Sequence, residues 1–266
     1  MKSFFIKYKK VALFCSVLLL IIVLLTTAAV TNGDTRYITS ADDIATVSKP
    51  TGEVVSTGID VSRYQGNIDF DKVKADGYDF VIIRVGTTQG CKDDNFDTNY
   101  ENATKAGLDV GCYYYTYSTT VEEAKLEAKE VLSYIKGKSF TYPVFYDFEY
   151  PELLSYSRTE ENNNMIDAFC KVIRRGGYYP GVYISNSAYN NHIDSEQIGN
   201  TWDVWVANYR DTTSDYDGYS KSFSMWQYSN TGRVSGIESE VDLNVCYVDY
   251  PSIIDEFNKS YSTLTN

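Results

Sequence analysis

Tyr-Pro-Val-Phe-Tyr-Asp-Phe-Glu-Tyr, residues 142–150, is the stretch on which the fold turns. It reads as a buried strand that emerges into two carboxylates, Asp147 and Glu149. Side chains along a strand repeat their direction every second residue, so both acids point to one face at one end. Two acids forced together cannot both ionise easily. One keeps its proton at a raised pKa while the other stays charged, the division of roles that glycosidic bond cleavage requires. A solvated strand end spells Asp-x-Glu equally well, so the surrounding sequence has to separate the two readings.

Upstream, residues 121–135 carry the clearest amphipathic helix pattern in the chain, preceded by a strand over 108–117. Before these come a helix over 97–107 closed by Gly107, a buried strand over 78–86, a short helix around 69–76 and a strand over 57–61. Downstream, a helix over about 160–175 ends at Gly176–Gly177 and a strand follows over 179–185. Strand and helix alternating at this pace predict parallel strands with right-handed crossovers. After residue 200 the helices thin out, and 202–208, 223–228 and 241–244 read as strands joined by loops. The expectation is an α/β fold, a barrel that begins as β/α units and closes with bare strands.

At 266 residues the chain has room for a targeting segment plus one such barrel. Residues 11–30 contain no charge and follow Lys2, Lys7, Lys9 and Lys10. Twenty such residues can span a bilayer with the lysines on the cytoplasmic side. A cleaved signal peptide is the rival reading, and the length of the run favours an uncleaved anchor. The boundaries follow: 1–31 anchor or signal peptide, 32–56 a Thr/Ser/Asp/Gly-rich tether, 57–258 the barrel and 259–266 a tail. Everything beyond the first segment is expected outside the cytoplasm, secreted or membrane-anchored, with membrane contact through that segment only.

Removing the four lysines of the first ten residues leaves 20 basic against 36 acidic residues, a net of −16. Such a balance excludes nucleic acid, which needs basic patches. Of the five cysteines, Cys91, Cys112, Cys170 and Cys246 are scattered without a CxxC pair, so neither a metal site nor a cofactor is expected, and disulfide pairing stays open. The single histidine, His192, reads as an exposed loop residue, and no Gly-x-Ser-x-Gly turn accompanies it, against a serine or cysteine hydrolase. The acidic run 211–218 lacks the spacing and the closing Glu of a calcium loop. The 25 tyrosines suit either packing or a sugar cleft, where flat rings stack on pyranose faces.

In parallel α/β folds the working residues gather at the carboxyl ends of the strands. Asp60 ends the first strand, Asp147 and Glu149 the central one, Trp226 and Gln227 lie near the end of a late strand, and Asp242 lies on the last. Four acids are thus expected to converge on one rim.

These residues also resemble the glycoside hydrolase family 25 lysozymes, the Chalaropsis-type muramidases, from about residue 57 to 250. The likeness is carried by Gly-Ile-Asp-Val-Ser (58–62) with Tyr-Gln-Gly (64–66), Tyr-Asp-Phe-Glu (146–149), Trp-Gln-Tyr-Ser (226–229), Gly-Ile (236–237) and Val-Asp-Leu-Asn (241–244). At Gly-Cys-Tyr-Tyr-Tyr (111–115) many members carry a His where this chain has Tyr114, which points to an altered subsite contact. The resemblance implies a single irregular (β/α)5β3 barrel that cleaves the β-1,4 bond between N-acetylmuramic acid and N-acetylglucosamine in peptidoglycan; a monomer acting on the glycan strands is expected. It implies Glu149 as the acid, Asp147 as the group that orients and stabilises the 2-acetamido group, and Asp60 and Asp242 as its acidic company. Tyr64, Tyr115, Tyr183, Trp226 and Gln227 are the candidates for sugar contact. A non-catalytic wall-binding protein and a chitinase-like enzyme are the alternatives.

Overall fold

The computed structural model describes residues 52–87, 90–209 and 222–265. The apolar segment 11–30, most of the 32–56 tether and the acidic run 211–218 lie outside the described residues. Among the described residues no helix is long and apolar enough to cross a membrane.

The elements run β1 (Ser56–Val61), α1 (Phe70–Ala75), β2 (Phe80–Thr87), β3 (Cys91–Lys92), α2 (Phe96–Lys105), β4 (Asp109–Tyr115), α3 (Val121–Ile135), β5 (Val144–Asp147) and α4 (Thr159–Arg175). They continue as β6 (Pro180–Ser185), α5 (Asn186–Asn191), α6 (Ser195–Thr201), β7 (Asp203–Ala207), β8 (Met225–Gly232), β9 (Val241–Cys246) and α7 (Tyr250–Thr265). The nine strands form one sheet in the order β1-β9-β8-β7-β6-β5-β4-β2-β3, and β1 also pairs with β2, which closes the ring and leaves β3 outside it. Within the ring the pairings among β1, β2, β4, β5, β6, β7 and β8 are parallel, whereas β9 runs antiparallel to both β8 and β1, and the outlying β3 runs antiparallel to β2. Among the described residues, five strand–helix units are followed by three strands with no helix between them, as the sequence pattern predicts. Closure leaves the barrel strands without a free edge.

Period-two alternation sorts the barrel's side chains. Val81, Ile83, Val110, Val144, Val182, Val204 and Val206 face outward and pack with Ala124, Ala128 and Val131 of α3 and Ile166, Phe169 and Ile173 of α4. Phe80, Ile82, Phe145, Trp205 and Met225 face inward. The helices begin and end where their sequences allow. Thr120 and Glu123 form a reciprocal capping box at the start of α3. Glu160 and Glu161 lie in the first turn of α4 and Arg174 and Arg175 in the last, each favourable to the helix dipole. Inside the barrel two glycines make room for rings: a Cβ on Gly58 would meet the Phe80 ring at 2.4 Å, and one on Gly181 the Phe145 ring at 2.6 Å.

Helix α7 departs from the expected tail. It runs without a break through residues 258 and 259, and its Tyr250, Ile254 and Phe257 join Phe80, Tyr142 and Tyr179 in the inner core at the amino-terminal mouth of the barrel. Tyr250, Ile254, Phe257 and Tyr261 recur at helical spacing, and the Asp249 carboxylate accepts from Ser252 N at the helix start. Among the described residues no disulfide links Cys91, Cys112, Cys170 and Cys246. Burial pushes the Cys112 thiol up, as expected of an inert packing group.

Candidate active site

β5 delivers Asp147 as its last residue, inward-facing and buried. Glu149 lies beyond the last strand residue, yet the extended path continues, because Phe148 N donates to Tyr183 O at 2.9 Å. Phe148 turns outward into the core, and Asp147 and Glu149 both line one cavity of about 250 Å3. Asp60, Arg84, Tyr113, Tyr115, Tyr183, Trp205, Tyr209, Gln227 and Asp242 complete the lining. Roomier depressions exist elsewhere, of about 340 Å3 against α7 and about 570 Å3 beside Asp69 and Lys72, but neither gathers buried acids. Chemistry, not size, selects the cavity at the strand ends.

Asp60 of β1 and Asp242 of β9 are direct cross-strand partners. Like charges so placed repel, and the surroundings answer this with donors. Gln227 Nε2 and Asn244 Nδ2 each donate to Asp60 Oδ2 at 2.8 Å. Trp205 Nε1 donates to Asn244 Oδ1 at 2.8 Å, and the Tyr183 and Tyr209 hydroxyls donate to Gln227 Oε1 at 2.9 and 3.1 Å. Arg84 is the one cation among the described lining residues; its Nε and Nη2 reach Asp93 Oδ2 at 2.8 and 2.7 Å, a pair almost wholly removed from water.

All four acids titrate above the ordinary carboxylate range. Burial raises Asp147 most directly, the charges of Glu149 and Asp60 add to it, and Arg84 opposes them. Burial also raises Glu149, with the neighbouring Tyr183 hydroxyl acting against it and Asp242 adding to it. Asp60 is raised by burial and by Asp242, while its Asn244 and Gln227 donors oppose the shift. Asp242 is pushed up to about 6, chiefly by burial. Asp147 Oδ1 is buried with no hydrogen-bond partner. A cavity of this kind can hold a carboxylic acid and a carboxylate together near neutral pH. Among the described residues no group of three or more His, Cys, Asp or Glu side chains is placed to hold a metal ion.

The expected acids thus converge, and so do Tyr115, Tyr183 and Gln227. Tyr64 sits outside the cavity, 69% exposed, with its ring centroid 4.8 Å from the Arg84 guanidinium. Trp226 is not brought in: alternation on β8 turns Gln227 inward and Trp226 outward, where its indole N–H donates to Asn208 O at 2.7 Å. Tyr114 likewise faces outward, so its departure from the usual His alters no cavity contact. Its hydroxyl lies 2.8 Å from both Thr87 O and Glu130 Oε2, which compete for its one hydrogen. His192 is half-buried rather than exposed, at the end of α5 and 4.8 Å from the Tyr156 ring. Sequence reasoning missed Arg84, Tyr113, Trp205, Tyr209 and Asn244. The alternation in Phe80–Ile82–Arg84 and in Asp242–Asn244 was the available signal for two of them.

The sequence matches the family described as glycosyl hydrolases family 25 over residues 59–237. It is 31% identical over 194 residues to the uncharacterized protein YegX of Escherichia coli O6:H1, across 71% of this chain and 68% of that one. It is 28% identical over 195 residues to lysozyme M1 of Streptomyces globisporus, across 70% of this chain and 66% of that one. The structure is similar to the bacterial lysozyme from Streptomyces coelicolor, with a TM-score of 0.64 at 25% identity, covering 77% of this chain and 98% of that one. It is also similar to the modular autolysin LytC from Streptococcus pneumoniae, with a TM-score of 0.63 at 27% identity, covering 72% of this chain and 46% of that one. With the motifs in order and the acids gathered at the strand ends, the chain belongs to family 25 of the glycosyl hydrolases.

Proposed function

We propose that this hydrolase is a muramidase that cleaves the β-1,4 bond between N-acetylmuramic acid and N-acetylglucosamine in peptidoglycan. The observation that carries the reading is the Asp147–Glu149 pair, two carboxyl groups of raised pKa in one cavity at the carboxyl ends of the strands. Of the two, Asp147 is the more deeply buried. A 2-acetamido N–H placed on Asp147 Oδ1, the buried oxygen that lacks a protein donor, stabilises its ionised form and leaves the shared proton to Glu149. Glu149 then protonates the leaving oxygen. The acetamido oxygen, oriented by Asp147, attacks the anomeric carbon from the opposite face, and water opens the cyclised sugar with Glu149 as base. Such assistance by the substrate is an established variant of the two-carboxylate scheme. Tyr115 and Tyr183 offer ring and hydroxyl to the sugar, and Gln227 is held between Tyr183 and Asp60.

The barrel works as a monomer outside the cytoplasm, tied to the membrane by residues 11–30. Sequencing the mature amino terminus tests that arrangement, and a chain starting near Val30 would contradict it. Turbidity loss of a bacterial wall suspension tests the activity. Binding to walls without clearing them would favour a non-catalytic glycan-binding protein, and release from chitin in preference to wall would favour a chitinase-like enzyme.

A further inference from the structure

We propose that Asn244 and Trp205 are positioning residues that hold Asp60 so that it and Asp242 share a single proton. One donor beside Asp60 has its direction fixed by its chemistry. An indole N–H can only donate, so Trp205 claims Asn244 Oδ1 and forces Asn244 Nδ2 toward Asp60. On the other side, Tyr183 and Tyr209 donate to Gln227 Oε1 and leave Gln227 Nε2 to do the same. Asp60 Oδ2 therefore faces two N–H groups and has no room for a hydrogen of its own. Any proton on Asp60 sits on Oδ1.

Asp242 lies directly across the ladder from Asp60, and both side chains line the same cavity. Two buried carboxyl groups so placed repel when both are ionised and can bond to each other only when one of them carries a proton. The other charged and titratable groups facing the pair are Asp147 at the end of β5, Glu149 beyond it, Arg84 on β2, Tyr113 on β4, Tyr183 on β6 and Tyr209 after β7. The phenols are neutral, the two acids favour retention of the proton, and Arg84 is already paired with Asp93. The result is a dyad of one negative charge beside Glu149, where two ionised aspartates would stand without it. Trp205 is well placed for this role. Its ring is fixed between Tyr183 and Phe145, with centroids at 4.5 and 5.1 Å, so the indole N–H cannot swing away from Asn244.

The test is a carboxyl titration of the whole protein, labelled with 13C at the aspartate carboxyls and assigned through Asp60→Asn and Asp242→Asn. It needs no substrate, so its failure is distinct from failure of the muramidase reading on which the role beside Glu149 rests. In the wild type the dyad titrates in two steps, and Asp242→Asn leaves Asp60 with one step at lower pH. Asn244→Leu removes a donor from the charged form, and the upper step moves up by about one pH unit. Trp205→Phe frees the Asn244 amide to turn and moves the step in the same direction. The pH profile of wall lysis in Asn244→Leu shifts with it. A merely structural role would lower the melting temperature of Asn244→Leu and leave the titration where it was. That result, or independent single-step titration of Asp60 and Asp242 in the wild type, would overturn the proposal. Should Asn244→Leu fail to fold, Trp205→Phe and Asp242→Asn carry the same measurement.

Discussion

On β2, β5 and β8 the inward positions change character within one strand repeat: Ile82 is followed by Arg84, Phe145 by Asp147 and Met225 by Gln227. The lower half of the barrel interior is a dry plug, closed beneath by Tyr250, Ile254 and Phe257 of α7. The upper half is a cluster of acids with amides and phenols around them. Two residues of strand separate a region that gives the fold its stability from one that works against it. Buried apolar groups contribute roughly 1.5–3 kcal/mol each, whereas a buried carboxylate is destabilising unless donors or protons answer its charge. Each half should therefore respond to substitution in its own way.

The largest expected effect belongs to the upper half. Glu149→Gln keeps the shape and removes the transferable proton, so wall lysis falls by ~10²–10⁴-fold with the melting temperature unchanged or raised. Near wild-type lysis by a folded variant would show that another group is the acid. The lower half gives the converse. Phe145→Ala beneath Asp147 costs about 3–5 kcal/mol of stability, and each kcal/mol lowers the melting temperature by roughly 2–4 °C in a domain of this size. A variant that melts normally yet is inactive would mean that the two halves are not separable as described.

The pH dependence of stability sharpens the contrast further. Asp60, Asp147, Glu149 and Asp242 all have raised pKa values in the folded protein, so over that range the folded chain binds more protons than the unfolded one. Stability from these groups is fully present below the ordinary carboxylate range and is lost as pH rises through the raised values, about 6 for Asp242. Thermal melts at closely spaced pH should show the melting temperature falling between about pH 4 and 7, and falling less steeply in Asp242→Asn. An equal slope in both proteins would remove Asp242 from the account. The smallest effect is expected outside both halves. Tyr64→Ala alters an exposed ring over Arg84, so its stability should stay within about 0.5 kcal/mol of the wild type, and kcat/KM should fall no more than several-fold. A loss comparable to that of Glu149→Gln would place Tyr64 in the reaction itself.

How much of this was legible in the sequence follows the same division. Asp60, Asp147, Glu149 and Asp242 could be found because strand ends and period-two spacing are local properties. β/α alternation likewise gave the barrel. What period two cannot supply is phase. Trp226 and Gln227 are adjacent, so only one could face inward, and nothing local said which. Tyr113, Tyr114 and Tyr115 posed the same question, and the outward one was assigned to a subsite. Trp205 and Asn244 act only through the register that sets β7 near β9 across β8, a non-local fact. α7 is a different kind of omission: its apolar spacing was visible, but a helix closing the barrel from below has no partner in the strand–helix alternation used to read the rest.

The central claim, that the cavity between β1, β5 and β9 cleaves the glycosidic bond at the anomeric carbon of N-acetylmuramic acid, is tested most directly by the sugar at the new reducing end. Purified peptidoglycan is digested with the protein, the released fragments are reduced with borohydride, and the reduced sugars are identified by mass spectrometry. The account predicts muramitol derived from N-acetylmuramic acid, absent from a parallel digest with Glu149→Gln. Reduced N-acetylglucosamine as the new end, or equal release by the Glu149→Gln protein, would contradict it.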